Sequence, residues 1–131
     1  MENGVERVEI KGRKHRVVLP GFAEREDLFV AYYSDEAKRP RRRERVLFAA
    51  LALSVPSLKA GTVADYEAAQ LDPVVFGSRV YNRLRSADHS RAELLPAAVK
   101  AFEVIATNTF PREAEVTDRE DFTEAAEARP T

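Results

Sequence analysis

The sequence predicts a mainly α-helical protein, with a short N-terminal β-hairpin packed on a bundle of about four helices and an acidic C-terminal tail. Three observations predict it. Apolar residues recur at helical spacing over residues 22–33, 72–85 and 90–108. Helix starts are explicit: Pro40 and Pro73 stand where a first turn accepts proline, and Asp72 and Ser90 stand where a cap is needed. After Phe110 the apolar content falls to Val116, Phe122 and four Ala, set among seven acids and three Arg. Residues 1–110 therefore read as one α-rich globular domain. Residues 111–131 read as a tail that is largely disordered when alone and dispensable for folding.

The hairpin is predicted from two β-rich runs, Val8-Glu9-Ile10 and His15-Arg16-Val17-Val18-Leu19, around the Gly-containing turn Lys11–Lys14. A lone hairpin is marginal in water, so its apolar side chains should rest on helices. Phe22 to Tyr33 follows as a helix with acids in its first turn, and Leu28, Phe29, Tyr32 and Tyr33 form its apolar stripe. The helix beginning at Pro40 changes character halfway. Arg41-Arg42-Arg43-Glu44-Arg45 is strongly basic, whereas Val46 to Leu53 is apolar all round, which marks a central helix buried by its neighbours.

Val63 to Leu71 is compatible with a short helix or an irregular connector. Asp72 opens the next helix, whose stripe runs through Val75 or Phe76, Val80, Tyr81 and Leu84. Gly77 within it costs about 1 kcal/mol relative to Ala, which a closely packed neighbouring backbone would explain. Ser90-Arg91-Ala92-Glu93 has the S-x-x-E form of a capping box, and Leu94 to Asn108 carries the last helix to a stop at Pro111.

Composition narrows the function. The chain contains no cysteine, which excludes disulfides, thiolate metal sites and cysteine nucleophiles. Met1 to Arg7 lacks the apolar core of a signal peptide, and Val46 to Leu53 is too short to span a bilayer, so a soluble protein that stays where it is made is expected. His15 and His89 lack an i+4 partner or a nearby ligand cluster. The serines form no nucleophile elbow, and the five glycines form no phosphate cradle. Glu24, Glu26 and Asp27 are accounted for by the start of their helix. No catalytic, cofactor or metal residues are assigned, and a non-enzymatic protein is expected.

The net charge of −1 conceals an asymmetry, with +4 over residues 1–62 and −5 over residues 63–131. Two solvated faces would account for it, and so would basic-to-acidic contacts between copies. Lys38 to Arg45 is the most pronounced feature. It suits phosphate neutralisation, docking of an acidic protein segment, or a solvated helix start whose arginine stems shield the apolar half behind. A pI near 6.2 argues against nucleic acid. Positive charge at a helix start also opposes the dipole, and Asp35, Glu36 or another chain would have to compensate. Candidate partner-binding residues are Arg41, Arg42 and Arg45; Leu28, Phe29 and Tyr32 of the apolar stripe; and Val116 and Phe122, which resemble a short linear motif set among acids.

The order of the pieces resembles the tail assembly chaperones of long-tailed bacteriophages. The resemblance rests on Val8 to Pro20 as strand, Gly-containing basic turn and strand, and on the Ala/Leu-rich helix Arg45 to Val55 ending at Pro56. It continues with the Asp-led Leu71 to Tyr81 carrying Phe76-Gly77, and with Pro111-Arg112-Glu113-Ala114-Glu115-Val116 and Asp121-Phe122 at the acidic end. It implies a non-enzymatic assembly factor that binds the tape measure protein and helps the tail tube to assemble. Self-association, contact with tail tube components, the cytoplasm of the bacterial host and no cofactor are further implications. A virion structural protein, such as a connector or head-tail joining subunit, and a small nucleic-acid-binding regulator are the alternative classes.

Overall fold

A computed structural model describes residues 6–34 and 39–110. Among them the order is β1 (Arg7–Ile10), β2 (Arg13–Arg16), α1 (Phe22–Tyr33), α2 (Pro40–Ser54), a 3₁₀ turn (Pro56–Leu58), α3 (Val63–Ala68), α4 (Pro73–Ser86) and α5 (Arg91–Thr109). The fold is mainly helical with an N-terminal hairpin, as the sequence predicts. Residues 111–131, with Val116 and Phe122, and the pair Asp35 and Glu36 lie outside the described residues.

The hairpin is tighter than expected. Ile10 pairs with Arg13, leaving a two-residue turn in which Lys11 (φ 55°) and Gly12 (φ 76°) are both left-handed. That is the two-residue geometry that matches the twist of paired strands, and glycine accepts it without strain. The second strand is Arg13–Arg16, not His15 to Leu19. Val17 still donates its N–H to the Glu6 carbonyl, but Val18 turns away to donate to the Ser54 carbonyl at the end of α2 (2.7 Å). That bond, with burial of Val8 and Ile10, fastens the hairpin to the helices, and β1 packs on α5.

The core is centred on α2. From Val46 to Ala52 every residue is buried, against α4 most extensively and then α5 and α1. Burying a side chain the size of Val, Leu or Phe is worth about 1.5–3 kcal/mol, so this stretch dominates the cohesion of the fold. Ser54 is also fully buried, and its hydroxyl donates back to the Ala50 carbonyl (2.7 Å). Gly77 of α4 has no room for a side chain: a Cβ there would lie 1.7 Å from the Arg45 carbonyl oxygen. The close backbone approach expected at this glycine is present, and it joins α2 to α4.

Helix starts follow the sequence signals. Asp72 accepts from the N–H groups of Val74 and Val75, and Ser90 and Glu93 form the reciprocal capping box. A second box, Thr62 with Asp65, resolves the ambiguous stretch as α3 over Val63–Ala68. The Thr62 N–H donates to the Asp65 carboxylate (2.9 Å), the Thr62 hydroxyl accepts from the Asp65 N–H (3.1 Å), and hydrogen bonding to Thr62 holds that carboxyl below its ordinary range. Helix α5 runs through Pro96, which removes the bond to the Ala92 carbonyl; Ala92 is exposed, so water can satisfy that oxygen.

Candidate partner-binding surface

Helix α2 begins against electrostatic preference. Its N-cap residue Arg39 makes no capping bond, no acid stands in its first turn, and arginines occupy positions 41, 42, 43 and 45. Arg41 and Arg45 are four residues apart, a like-charge spacing that destabilises a helix by about 0.2–0.5 kcal/mol. The first turn of the helix also carries partial positive charge.

Aromatic faces and one acid offset this. The Arg43 guanidinium lies 5.0 Å from the Tyr32 ring centroid and donates to the Tyr32 carbonyl (3.2 Å). The Arg45 guanidinium lies 4.5 Å from the Tyr81 centroid, and Arg85 approaches the same ring at 5.7 Å while donating to its hydroxyl (3.3 Å). Tyr81 itself stacks on Phe48 at 4.9 Å. Such cation–ring contacts at partly exposed sites contribute about 0.5–1 kcal/mol each.

Glu44 supplies the opposing charge. Arg91, at the first position of α5, makes a two-pronged contact with its carboxylate, with Nε 3.0 Å from one oxygen and a terminal nitrogen on the other. Hydrogen bonding to Arg91 holds the Glu44 carboxyl below its ordinary range and correspondingly raises Arg91. Pro40, Arg41, Glu44, Arg45, Tyr81 and Arg91 together line an open depression of about 590 Å³. Chemically it is a cationic surface with the Arg45 and Arg91 guanidiniums held in place, suited to carboxylates or phosphates.

A second surface is apolar. At 100° per residue, Phe22, Tyr33 and Val30 fall within about 80° of one another on α1. They are 60%, 65% and 72% exposed, and Phe110, just past α5, is 58% exposed and meets Phe29 at 4.8 Å. Arg25 bridges this edge, over the Phe22 ring and bonded to the Thr109 hydroxyl.

The sequence-derived candidates therefore separate. Arg41 and Arg45 share the basic depression, and Arg42 is part-buried beside it. Leu28 and Phe29 are buried in the core and are not available to a partner in this fold, which corrects their assignment as docking residues. Tyr32 is half-buried, tilted on Phe102 at 4.6 Å, and serves as the platform for Arg43. Tyr33, placed in the inward stripe by the sequence, faces outward. Tyr81, Arg85 and Arg91 were not singled out. Arg85 stands four residues after Tyr81 and was in principle detectable, whereas Arg91 meets a carboxylate 47 residues away and leaves no local signal.

Other polar groups have structural partners. His15 pairs with the Ser57 hydroxyl (2.9 Å). Tyr66, fully buried on α3, donates to the Asp27 carboxylate (2.7 Å), with the Leu71 carbonyl 3.0 Å away; burial beside acids pushes its hydroxyl pKa far up. Among the described residues, no group of three or more His, Asp or Glu is placed to hold a metal, and no helix is long and apolar enough to cross a membrane. Compared with family models, curated proteins and solved structures, the chain matches none.

Proposed function

We propose that the chain is a non-enzymatic tail assembly chaperone of a long-tailed bacteriophage, acting in the host cytoplasm to bind the tape measure protein while the tail tube assembles. The observation that carries this is the set of exposed apolar side chains along one flank of α1, with Glu26 exposed among them. Phe22, Val30 and Tyr33 are exposed on a helix whose adjoining side, with Leu28 and Phe29, already contributes to the core. An amphipathic helix from a partner can lay anchors at i, i+4 and i+7 along such an edge. Several copies on one long helical partner would gain further by avidity. The order of elements that prompted the resemblance is consistent with this, and Arg41, Arg42 and Arg45 would tune encounter more than affinity.

Co-expression with a cognate tape measure protein tests the proposal. The expected result is a soluble complex holding several copies of this chain. Val30→Asp with Tyr33→Asp should abolish co-purification while leaving the helical circular dichroism melt within a few degrees, because both side chains are exposed. An insoluble tape measure protein, or a complex indifferent to both substitutions, sinks the proposal. The clustered arginines favour one competing function, a small nucleic-acid-binding regulator. That function requires DNA retention that falls by orders of magnitude between low and physiological salt and is lost when Arg41, Arg42 and Arg45 become Ala. Stoichiometric amounts in purified virions would instead point to a structural subunit.

A further inference from the structure

Charge in this protein is segregated twice, once in the sequence and once in space. Residues 111–131 carry seven acids and three Arg, a net −4, which leaves +3 on all the rest. Within the fold, Arg41 and Arg45 of α2, Arg85 of α4 and Arg91 of α5 converge around Tyr81, and Glu44 is the acid among them. The Arg41–Arg45 spacing is repulsive and unrelieved by any acid in the first turn of α2.

We infer that the face built by Arg41, Arg45, Tyr81, Arg85 and Arg91 is a docking site for an acidic peptide, and that its occupant is this chain's own segment 111–131, bound in cis. Reach permits it. Helix α5 spans 19 residues, so Phe110 lies about 28 Å from the Arg91 end. Glu120, Asp121, Glu124 and Glu127 stand ten to seventeen residues beyond Phe110, an extended reach of about 33–56 Å. Tethering gives the segment an effective concentration of order mM, so weak guanidinium–carboxylate contacts suffice. The nearer α1 edge is less suitable, because Glu24, Glu26 and Asp27 on that helix repel acids. Nucleic acid is disfavoured because Tyr81 is already stacked on Phe48 and approached by Arg45, leaving little ring surface for a base. The docked segment screens the face, and any acidic partner must displace it.

The full chain is compared with a full-length variant carrying Gln or Asn at all seven acids of residues 111–131. At low salt the two should differ in the side-chain N–H resonances of Arg41, Arg45, Arg85 and Arg91, independently of protein concentration, and the difference should vanish near 0.5 M salt. A ten-residue polyglutamate peptide should bind the variant about tenfold more tightly than the unmodified chain, because the competitor is gone. Identical spectra, differences confined to the α1 edge, or equal peptide affinity would overturn the inference. So would a concentration-dependent difference, which would make a second copy the occupant, or a DNA oligonucleotide that binds both proteins tightly and equally. None of these outcomes bears on tape measure binding, so the docking can fail while the proposed function stands, and the reverse.

Discussion

The two halves of α2 share one helix and obey different rules. From Val46 to Ala52 the residues are held by burial, and their identity is fixed by what they touch. From Arg39 to Arg45 the residues remain at or near the surface, and the arginines are held by rings contributed by α1 and α4, while the one acid among them, Glu44, is held by Arg91 of α5. The apolar half makes the fold stable enough for the basic half to be electrostatically unfavourable. Cohesion and surface chemistry thus occupy one continuous element and meet between Arg45 and Val46.

That contrast can be broken most severely at Leu51. Leu51→Asp places an unpaired carboxylate at a fully buried position, costing several kcal/mol, and should unfold the domain as read by circular dichroism. A folded, monodisperse variant would show that the buried half tolerates charge as the basic half does. Next comes Gly77→Ala, whose methyl would collide with the Arg45 carbonyl and force α2 from α4. A loss of about 3 kcal/mol or more in urea unfolding is expected, against a gain of about 1 kcal/mol if helix propensity alone mattered.

Glu44→Gln should cost only about 0.5–1 kcal/mol at pH 7, because Arg91 is half exposed and solvent screens the pair. The Glu44 carboxyl is depressed from its ordinary 4.5 in the folded state. Its contribution is therefore fully present above about pH 4.5 and is lost as pH falls through the folded value, so the gap between variant and parent should close in acid. A gap that stays constant down to pH 2 would assign the effect to packing. The smallest change is expected at Arg41: replacement by Ala should leave stability unchanged or raise it by up to about 0.5 kcal/mol, since it removes a repulsion and adds a better helix former. A clear loss of melting temperature would mean that Arg41 is held by a contact inside the fold.

Legibility in the sequence followed the range of the interaction. The buried half of α2, the Asp72 cap and the Ser90–Glu93 box are readable because periodicity and capping act within four residues. The Thr62–Asp65 box has the same reach, but it heads a helix of only six residues, too short for periodicity to separate helix from connector. The orientation of α1 was not readable. Phe22, Leu28, Phe29, Val30, Tyr32 and Tyr33 spread over about 200° of the helix, so the packing of α1 on its neighbours decides that Leu28 faces in and Tyr33 faces out. The basic face was half readable: the arginine run and its Glu44 are plain, but the Tyr81 ring and the Arg91 guanidinium that hold them arrive from α4 and α5. The bounds of the second strand differ because Val17 and Val18 have strand-forming side chains, while the backbone leaves the ladder at Val18 to bond Ser54.

One glycine sets the chemistry of a surface it never reaches. With the Arg45 carbonyl resting on Gly77, α2 and α4 are pinned like two rods crossing at a rivet, free neither to slide nor to shift by a turn. Tyr81 stands one helical turn beyond the rivet on α4, and the Arg45 side chain leaves from the rivet itself, so ring and guanidinium meet without any search. A chain that kept every surface residue but thickened this crossing would carry the same arginines and the same tyrosine, out of alignment.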